Sequence, residues 1–250
     1  MFFDSRRSTV HGNNGMIATS QPLAAIAGLK VLFDGGNAID ACVAAAAVLN
    51  VVEPESTGIG GDMFALIRMA DTKKVVSLNG SGRSGSGASI EELKSKGLSK
   101  LPDIGPYSVS VPGTVHGWET IMNEYGNMSL SDVLKPAIDY AINGFAVSDI
   151  ISYQWKGQKD KLAQYPSGNE FLFGGKGPNE GDFVKLPTLG KTLQAIAEGG
   201  SEAFYTGEIA KKISDYVQQL GGWVTESDLN NHHSDWDEAI STDYRGVTCW

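Results

Sequence analysis

An α+β fold is what this 250-residue sequence predicts, and three observations carry the prediction. Segments of helical period recur with capping residues at their ends, two runs around residue 70 alternate as the arms of a β-hairpin, and a glycine-rich turn at Pro54–Met63 joins an alanine-rich helix to that hairpin. With 41% hydrophobic and 20% charged residues the chain has apolar mass for a sizeable core, as one large domain or two small ones.

The elements follow in order. Ser20 caps a first helix with Pro22 in its opening turn, running through Leu23, Ile26, Ala27, Val31 and Leu32 and ended by Gly35-Gly36. Asn37 caps the alanine-rich helix to Val52, in which Cys42 reads as a small core residue. The helix stops abruptly at Pro54, and Gly58, Gly60 and Gly61 imply a backbone that needs a positive φ or close approach. Phe64–Met69 and Lys74–Leu78 form the hairpin around Ala70–Lys73, and Gly80–Gly87 is a loop. Ser89 with Glu92 makes a capping box for a short helix over Ile90–Lys96, stopped by Gly97. Tyr107–Val111 alternates as a strand and closes on Pro112-Gly113, ahead of a helix over Thr114–Tyr125. Ser129 or Ser131 caps the next helix, Val133–Ile142, ended by Gly144.

Trp155–Lys185, poor in periodicity and rich in glycine, proline and charge, reads as surface loop. Leu189–Ala197 and Gly207–Leu220 are helices ended by glycine pairs, Thr225–Asp228 has the pattern of another cap, and Gly246–Trp250 is an apolar strand. A closing strand that would expose an unpaired edge predicts a chain belonging to a larger fold.

Charge narrows the function. At a net −9 and a pI of about 4.9 there is no source for the phosphate attraction that nucleic-acid binding needs, so the expected partners are small molecules or protein. Met1–Gly15 lacks the apolar run of a signal peptide, Ala38–Val52 is too short and too alanine-rich for a membrane span, and the expected location is cytoplasmic. Two cysteines, Cys42 and Cys249, make neither a disulfide framework nor a metal pattern.

Several motifs invite chemistry. Gly80–Gly85 satisfies G-x-G-x-x-G by letter, but it follows the second arm of a hairpin and the next helix starts late, so the dinucleotide reading is weak and no cofactor is expected. Arg83, among small neighbours, has an unobstructed guanidinium that could take a carboxylate bidentately, against the alternative of a solvated loop arginine. His232-His233 near Asp228 and Asp235 suggests a metal, yet adjacent histidines on a helix point apart and no third ligand has a set spacing, so no metal is expected. His116, on a helix beside Trp118, reads as packed rather than catalytic, and no G-x-S-x-G elbow occurs.

Six separated blocks then carry a resemblance. Met16–Ala24, Gly35–Ala41, Glu53–Gly61, Val109–Trp118, Lys135–Ile138 with Gly144-Phe145, and Ala203–Gly207 with Tyr244–Gly246 are similar, in order, to the large-subunit half of the γ-glutamyltranspeptidases. The resemblance implies an N-terminal-nucleophile hydrolase with a four-layer αββα core, of which residues 1–250 are one incomplete part, made as a proenzyme that cleaves itself. It implies a nucleophilic threonine beyond residue 250, hence no catalytic residue in this chain, and a C-terminal small subunit as partner in a heterodimer or dimer of heterodimers. The implied substrate is glutathione or a related γ-glutamyl amide. The family places a carboxylate-binding arginine after the second hairpin strand; counting from Leu78 puts Ser81 at that position and Arg83 two residues later, about 7 Å along an extended backbone. Asp62 stands where the family tends to have a further glycine. An acylase of different specificity, or a non-catalytic scaffold half when the chain is isolated, are the alternatives.

Overall fold

A computed structural model describes residues 9–250, so part of the Met1–Gly15 reading lies outside the described residues. The first helix, α1 (Pro22–Phe33), is capped by Gln21, whose side chain accepts from the Leu23 amide; Ser20 instead donates its hydroxyl to Glu53 Oε2 at 2.6 Å. Helix α2 (Ala38–Val52) opens on a reciprocal capping box between Asn37 and Asp40. Asp40 is fully buried yet satisfied: it accepts from the amides of Asn37 at 2.7 Å, Asn127 at 3.0 Å and Met128 at 3.1 Å, tying α2 to a later loop.

The hairpin pairs β1 (Met63–Arg68) with β2 (Val75–Gly80), Met63 opposite Gly80 and Arg68 opposite Val75, and β5 (Asp235–Asp237) adds to the far side of β2 with Asn79 opposite Asp235. Alternation along these strands splits the sheet into two faces. Helix α4 (Thr114–Tyr125) packs on β1 and β2 and also against α2, so that Leu78 and Trp118 are each 1% exposed. On the other face Phe64 is 70% and Leu66 56% exposed.

Behind this layer, α2 packs on α5 (Leu130–Asn143), which packs on α8 (Pro187–Gly199). Ser129, not Ser131, caps α5, accepting from the Asp132 amide at 3.1 Å, and the helix begins three residues before the sequence predicts. The short α3 (Ile90–Ser95) is capped by Ser89 as expected.

The structure corrects four expectations. Tyr107-Ser108 lies in a 3-10 turn, and only Ser110 bridges to another strand-like residue, Ser84; Pro106 breaks the alternation. Residues 155–185 are not surface loop: α6 (Asp149–Gly157), α7 (Lys159–Leu162) and a 3-10 turn fold around a fully buried Trp155, whose indole donates to the Phe171 carbonyl at 2.8 Å. One large aromatic anchors a segment too irregular for a periodic signal. Near its end β4 (Phe183–Val184) pairs with β3 (Phe145–Ala146), which precedes the segment. Cys42 is exposed on α2, in an apolar trough with Phe64 and Leu66, and the apolar surroundings push its thiol pKa up. The last strand, β7 (Val247–Cys249), is half of a hairpin with β6 (Thr242–Tyr244), turned by Arg245-Gly246 at φ +50° and +79°.

Candidate functional site

The turn after β2 is held on every side. Asn79 Oδ1 accepts from the Ser81 amide at 3.0 Å and the Ser81 hydroxyl at 2.7 Å, Asp62 Oδ1 accepts from the Gly82 amide at 3.0 Å, and the Val111 amide donates to the Arg83 carbonyl at 2.9 Å. A Cβ on Gly82 would collide with the Val111 carbonyl and one on Gly85 with the Trp223 backbone, so these two glycines of the G-x-G-x-x-G pattern answer to packing. Ser81 spends its hydroxyl proton on Asn79.

Arg83 is not unobstructed. Its Nη2 lies 3.2 Å from Asp235 Oδ2 and 3.2 Å from His233 Nε2. Its side chain is 58% and that of Asp235 43% exposed, so the pair contributes little to stability, on the order of 0.2–1 kcal/mol, and a competing carboxylate can displace it.

The histidines sit after α11 (Glu226–Asn230), in irregular chain rather than on a helix. They still diverge: His233 turns to Arg83, while His232 stacks on the Tyr205 ring at 5.2 Å between centroids. Asp228 is committed elsewhere, to the Thr225 cap and the Ser86 amide; burial raises its carboxyl, but those hydrogen bonds together hold it below the ordinary range. Tyr205, from α9 (Glu202–Tyr205), donates its hydroxyl to the Pro112 carbonyl at 2.8 Å and accepts from the His116 amide at 3.2 Å; burial pushes its pKa up. His116 Nδ1 lies 2.9 Å from Ser234 Oγ. Burial lowers His116, and burial with the neighbouring His116, His233 and Arg83 lowers His232 to about 4. Both rings are neutral at pH 7.

A hollow of about 520 Å³ opens where Pro54–Met63 leaves α2, between Leu49, Asn50, Thr57, Phe64, Thr114 and Trp118. Gly58, Gly60 and Gly61 do not have positive φ; of the two expected causes close approach holds at Gly61, where a Cβ would lie 3.2 Å from the Gly58 carbonyl oxygen, whereas one on Gly60 would meet nothing within 4 Å among the described residues. The Gly61 carbonyl accepts from the Gly113 and Thr114 amides at 2.9 and 3.0 Å, so the turn docks the start of α4. Both carboxylate oxygens of Glu55, on the hollow's wall, are buried with no partner among the described residues, and burial raises its pKa to about 7, with Glu53 adding to the shift.

A hairpin backed by helices, with an arginine on the turn leaving its second strand, is the arrangement against which known proteins can be compared. Residues 24–250 match the γ-glutamyltranspeptidase family profile. The chain belongs to the γ-glutamyltranspeptidase family. Within that family it is 40% identical over 243 residues to a glutathione hydrolase-like proenzyme of Bacillus subtilis, covering 97% of this chain and 46% of that one. The γ-glutamyltranspeptidase of Helicobacter pylori superposes with a TM-score of 0.91 at 34% identity, over 97% of this chain and 70% of that chain. A cephalosporin acylase from Bacillus halodurans superposes at 0.87 with 37% identity, over 99% of this chain and 49% of that chain. The chain thus spans about half the length of the curated relative it matches.

Sequence reasoning found the Arg83 turn and missed its fastenings. Asn79 and Asp235, opposite each other across β2 and β5, are distant in sequence and carry no motif. The one available signal was Asp62, noticed as a departure from the family pattern, whose role as acceptor for Gly82 needed the structure.

Proposed function

We propose that this chain is the large-subunit portion of a γ-glutamyltransferase-like N-terminal-nucleophile hydrolase that cleaves or transfers the γ-glutamyl group of glutathione and related amides. The observation that carries the reading is the uncovered sheet face, Phe64 and Leu66, running up to the Arg83 turn on a backbone similar to that of the Helicobacter pylori enzyme. Apolar residues alternating toward that side call for a covering layer, which a second sheet from a C-terminal segment would supply in an αββα core. Open space over Gly60 fits close approach by the same segment.

In this reading the segment bears an N-terminal threonine. Its hydroxyl oxygen attacks the amide carbonyl while its own α-amine takes the proton; the amine leaves protonated, and the ester passes to water or to an amino-acid acceptor. Arg83 grips the α-carboxylate of the glutamyl group, exchanging the exposed Asp235 for the substrate. The expected outcome is that full-length precursor cleaves itself into two chains and then releases anilide from a γ-glutamyl anilide. Uncleaved precursor with no release would contradict the reading.

A second reading has its own observation. Asp235, paired with Arg83, and Asp62, which accepts from the Gly82 amide beside it, offset the positive charge a glutamate carboxylate would seek, and the likeness to a cephalosporin acylase is as close in sequence as that to the transpeptidases. An acylase on amides without an α-carboxylate would cut a simple acyl anilide and leave the γ-glutamyl one.

A further inference from the structure

His116 on α4 and Ser234 just ahead of β5 meet at a single ring nitrogen. His116 Nδ1 lies 3.2 Å from the Ser234 amide, 2.9 Å from the Ser234 hydroxyl and 3.1 Å from Thr120 Oγ1. A backbone amide can only donate, so Nδ1 must be the acceptor and the ring proton must sit on Nε2. Residues alternate sides along extended chain, so fastening Ser234 toward α4 turns both of its neighbours the other way. Those neighbours, His233 and Asp235, are the two side chains that touch Arg83 at 3.2 Å each.

We propose that His116 is a positioning residue for substrate binding: as a neutral acceptor it fastens Ser234 to α4 and thereby sets His233 and Asp235 against Arg83. This rests on the reading of Arg83 as the carboxylate grip. Nothing else among the described residues bonds the Ser234 amide or hydroxyl, so ahead of the ladder that pairs Asp235 with Asn79 this ring is what fastens the segment bracketing Arg83. Protonation would place an N–H on Nδ1 facing the Ser234 N–H, turning an acceptor into a second donor.

The groups around His116 set when that happens. Glu119 on α4 favours the charged ring, but its carboxylate already accepts from the Ser201 amide and hydroxyl. Tyr205 from α9 presents its ring at 6.0 Å, His232 packs edge-on at 5.4 Å, and His233 adds repulsion to any charge on His116. Asp62, beyond them, faces His232 and Tyr205. Burial dominates, and the ring keeps its acceptor through the ordinary histidine range, giving it up only at lower pH.

The test uses the complete processed protein with His116→Leu and His116→Asn, the asparagine oxygen standing where Nδ1 stands. Hydrogen exchange of the peptide covering residues 232–236 is expected to quicken about tenfold in the leucine variant, for one to two ordinary hydrogen bonds lost, and to stay near the wild-type rate in the asparagine variant. KM for a γ-glutamyl anilide should rise about tenfold in the leucine variant with kcat within about twofold. Wild-type KM should also rise as the pH falls below the ordinary histidine range, whereas the asparagine variant should lack that limb. Unchanged exchange in the leucine variant, or an asparagine variant that exchanges like leucine, overturns the proposal. If the wild type does not cut the anilide at all, the substrate reading has failed, and the exchange comparison still decides whether His116 holds the segment. If the leucine variant does not fold, the pH limb and exchange of the asparagine variant decide alone.

Discussion

The two faces of the three-stranded sheet are made from the same strands and meet opposite fates. On one, Leu78 packs beneath α4 with Trp118, and the helices α2 and α5 continue the burial behind it; on the other, Phe64 and Leu66 stand in the open, flanking Ala65, the partner of Leu78 on β1. Strand period puts Met63, Ala65, Ile67, Val76 and Leu78 on the packed face, and sets Phe64, Leu66 and Val75 among Arg68, Ser77, Asn79, Asp235 and Asp237 on the other. The bare face is therefore evidence about a partner layer, and Arg83 stands at its end because β2 stops there.

That contrast can be broken by mutation in the complete protein. Trp118→Ala should cost about 3–5 kcal/mol in urea unfolding, as expected for a large buried aromatic. Phe64→Ala decides whether the faces differ in the finished molecule: covered by a second sheet, it should also cost about 3 kcal/mol, whereas a face that stays in water would give less than about 0.5 kcal/mol. A negligible Phe64 effect would remove the main support for a layered core.

Smaller effects should appear at the hollow where the two faces meet. The carboxyl of Glu55 is raised from 4.5 to about 7, so the unfolded chain releases its proton first and stability falls as pH rises from about 4.5 to 7. Glu55→Gln should thus leave stability unchanged near pH 4 and increase it by about 1–2 kcal/mol at pH 8, after allowance for partial solvation. If a cationic group of the covering layer reaches Glu55, the sign at pH 8 reverses. His232 behaves oppositely: its pKa is lowered to about 4, the unfolded chain takes up the proton first, and stability is lost as pH falls from about 6.5 to 4. An acid unfolding limb weakened by His232→Gln would confirm the assignment, and an unchanged limb would refute it.

Local signals made much of this legible. Asn37 with Asp40, Ser89 with Glu92 and Thr225 with Asp228 announce their helices because a cap is a contract between residues three apart. The segment after Trp155 hid because its order comes from one indole reaching Phe171 and not from a repeating pattern. Tyr107–Val111 differs for the converse reason, alternation with only a single bridge, Ser110 to Ser84, at its end. At the site, Arg83 was visible as a lone charge among small residues, while Asp235, His233 and the His116–Ser234 contact bring together positions more than a hundred residues apart and leave no trace in spacing. Of the two causes the glycines of Pro54–Met63 offered, none has a positive φ and Gly61 has close approach, a choice that spacing alone does not make.

The most direct measurement is the KM of the processed full-length enzyme, with Arg83 and with Arg83→Ala, for a γ-glutamyl anilide and for an anilide lacking the α-carboxylate. If Arg83 grips the substrate from the end of the bare face, the substitution should raise KM for the γ-glutamyl substrate by about 100-fold, the equivalent of roughly 3 kcal/mol, and leave the other unaffected. An unchanged γ-glutamyl KM, or cleavage of only the simpler anilide, would make Arg83 a loop residue and the protein an acylase of another specificity.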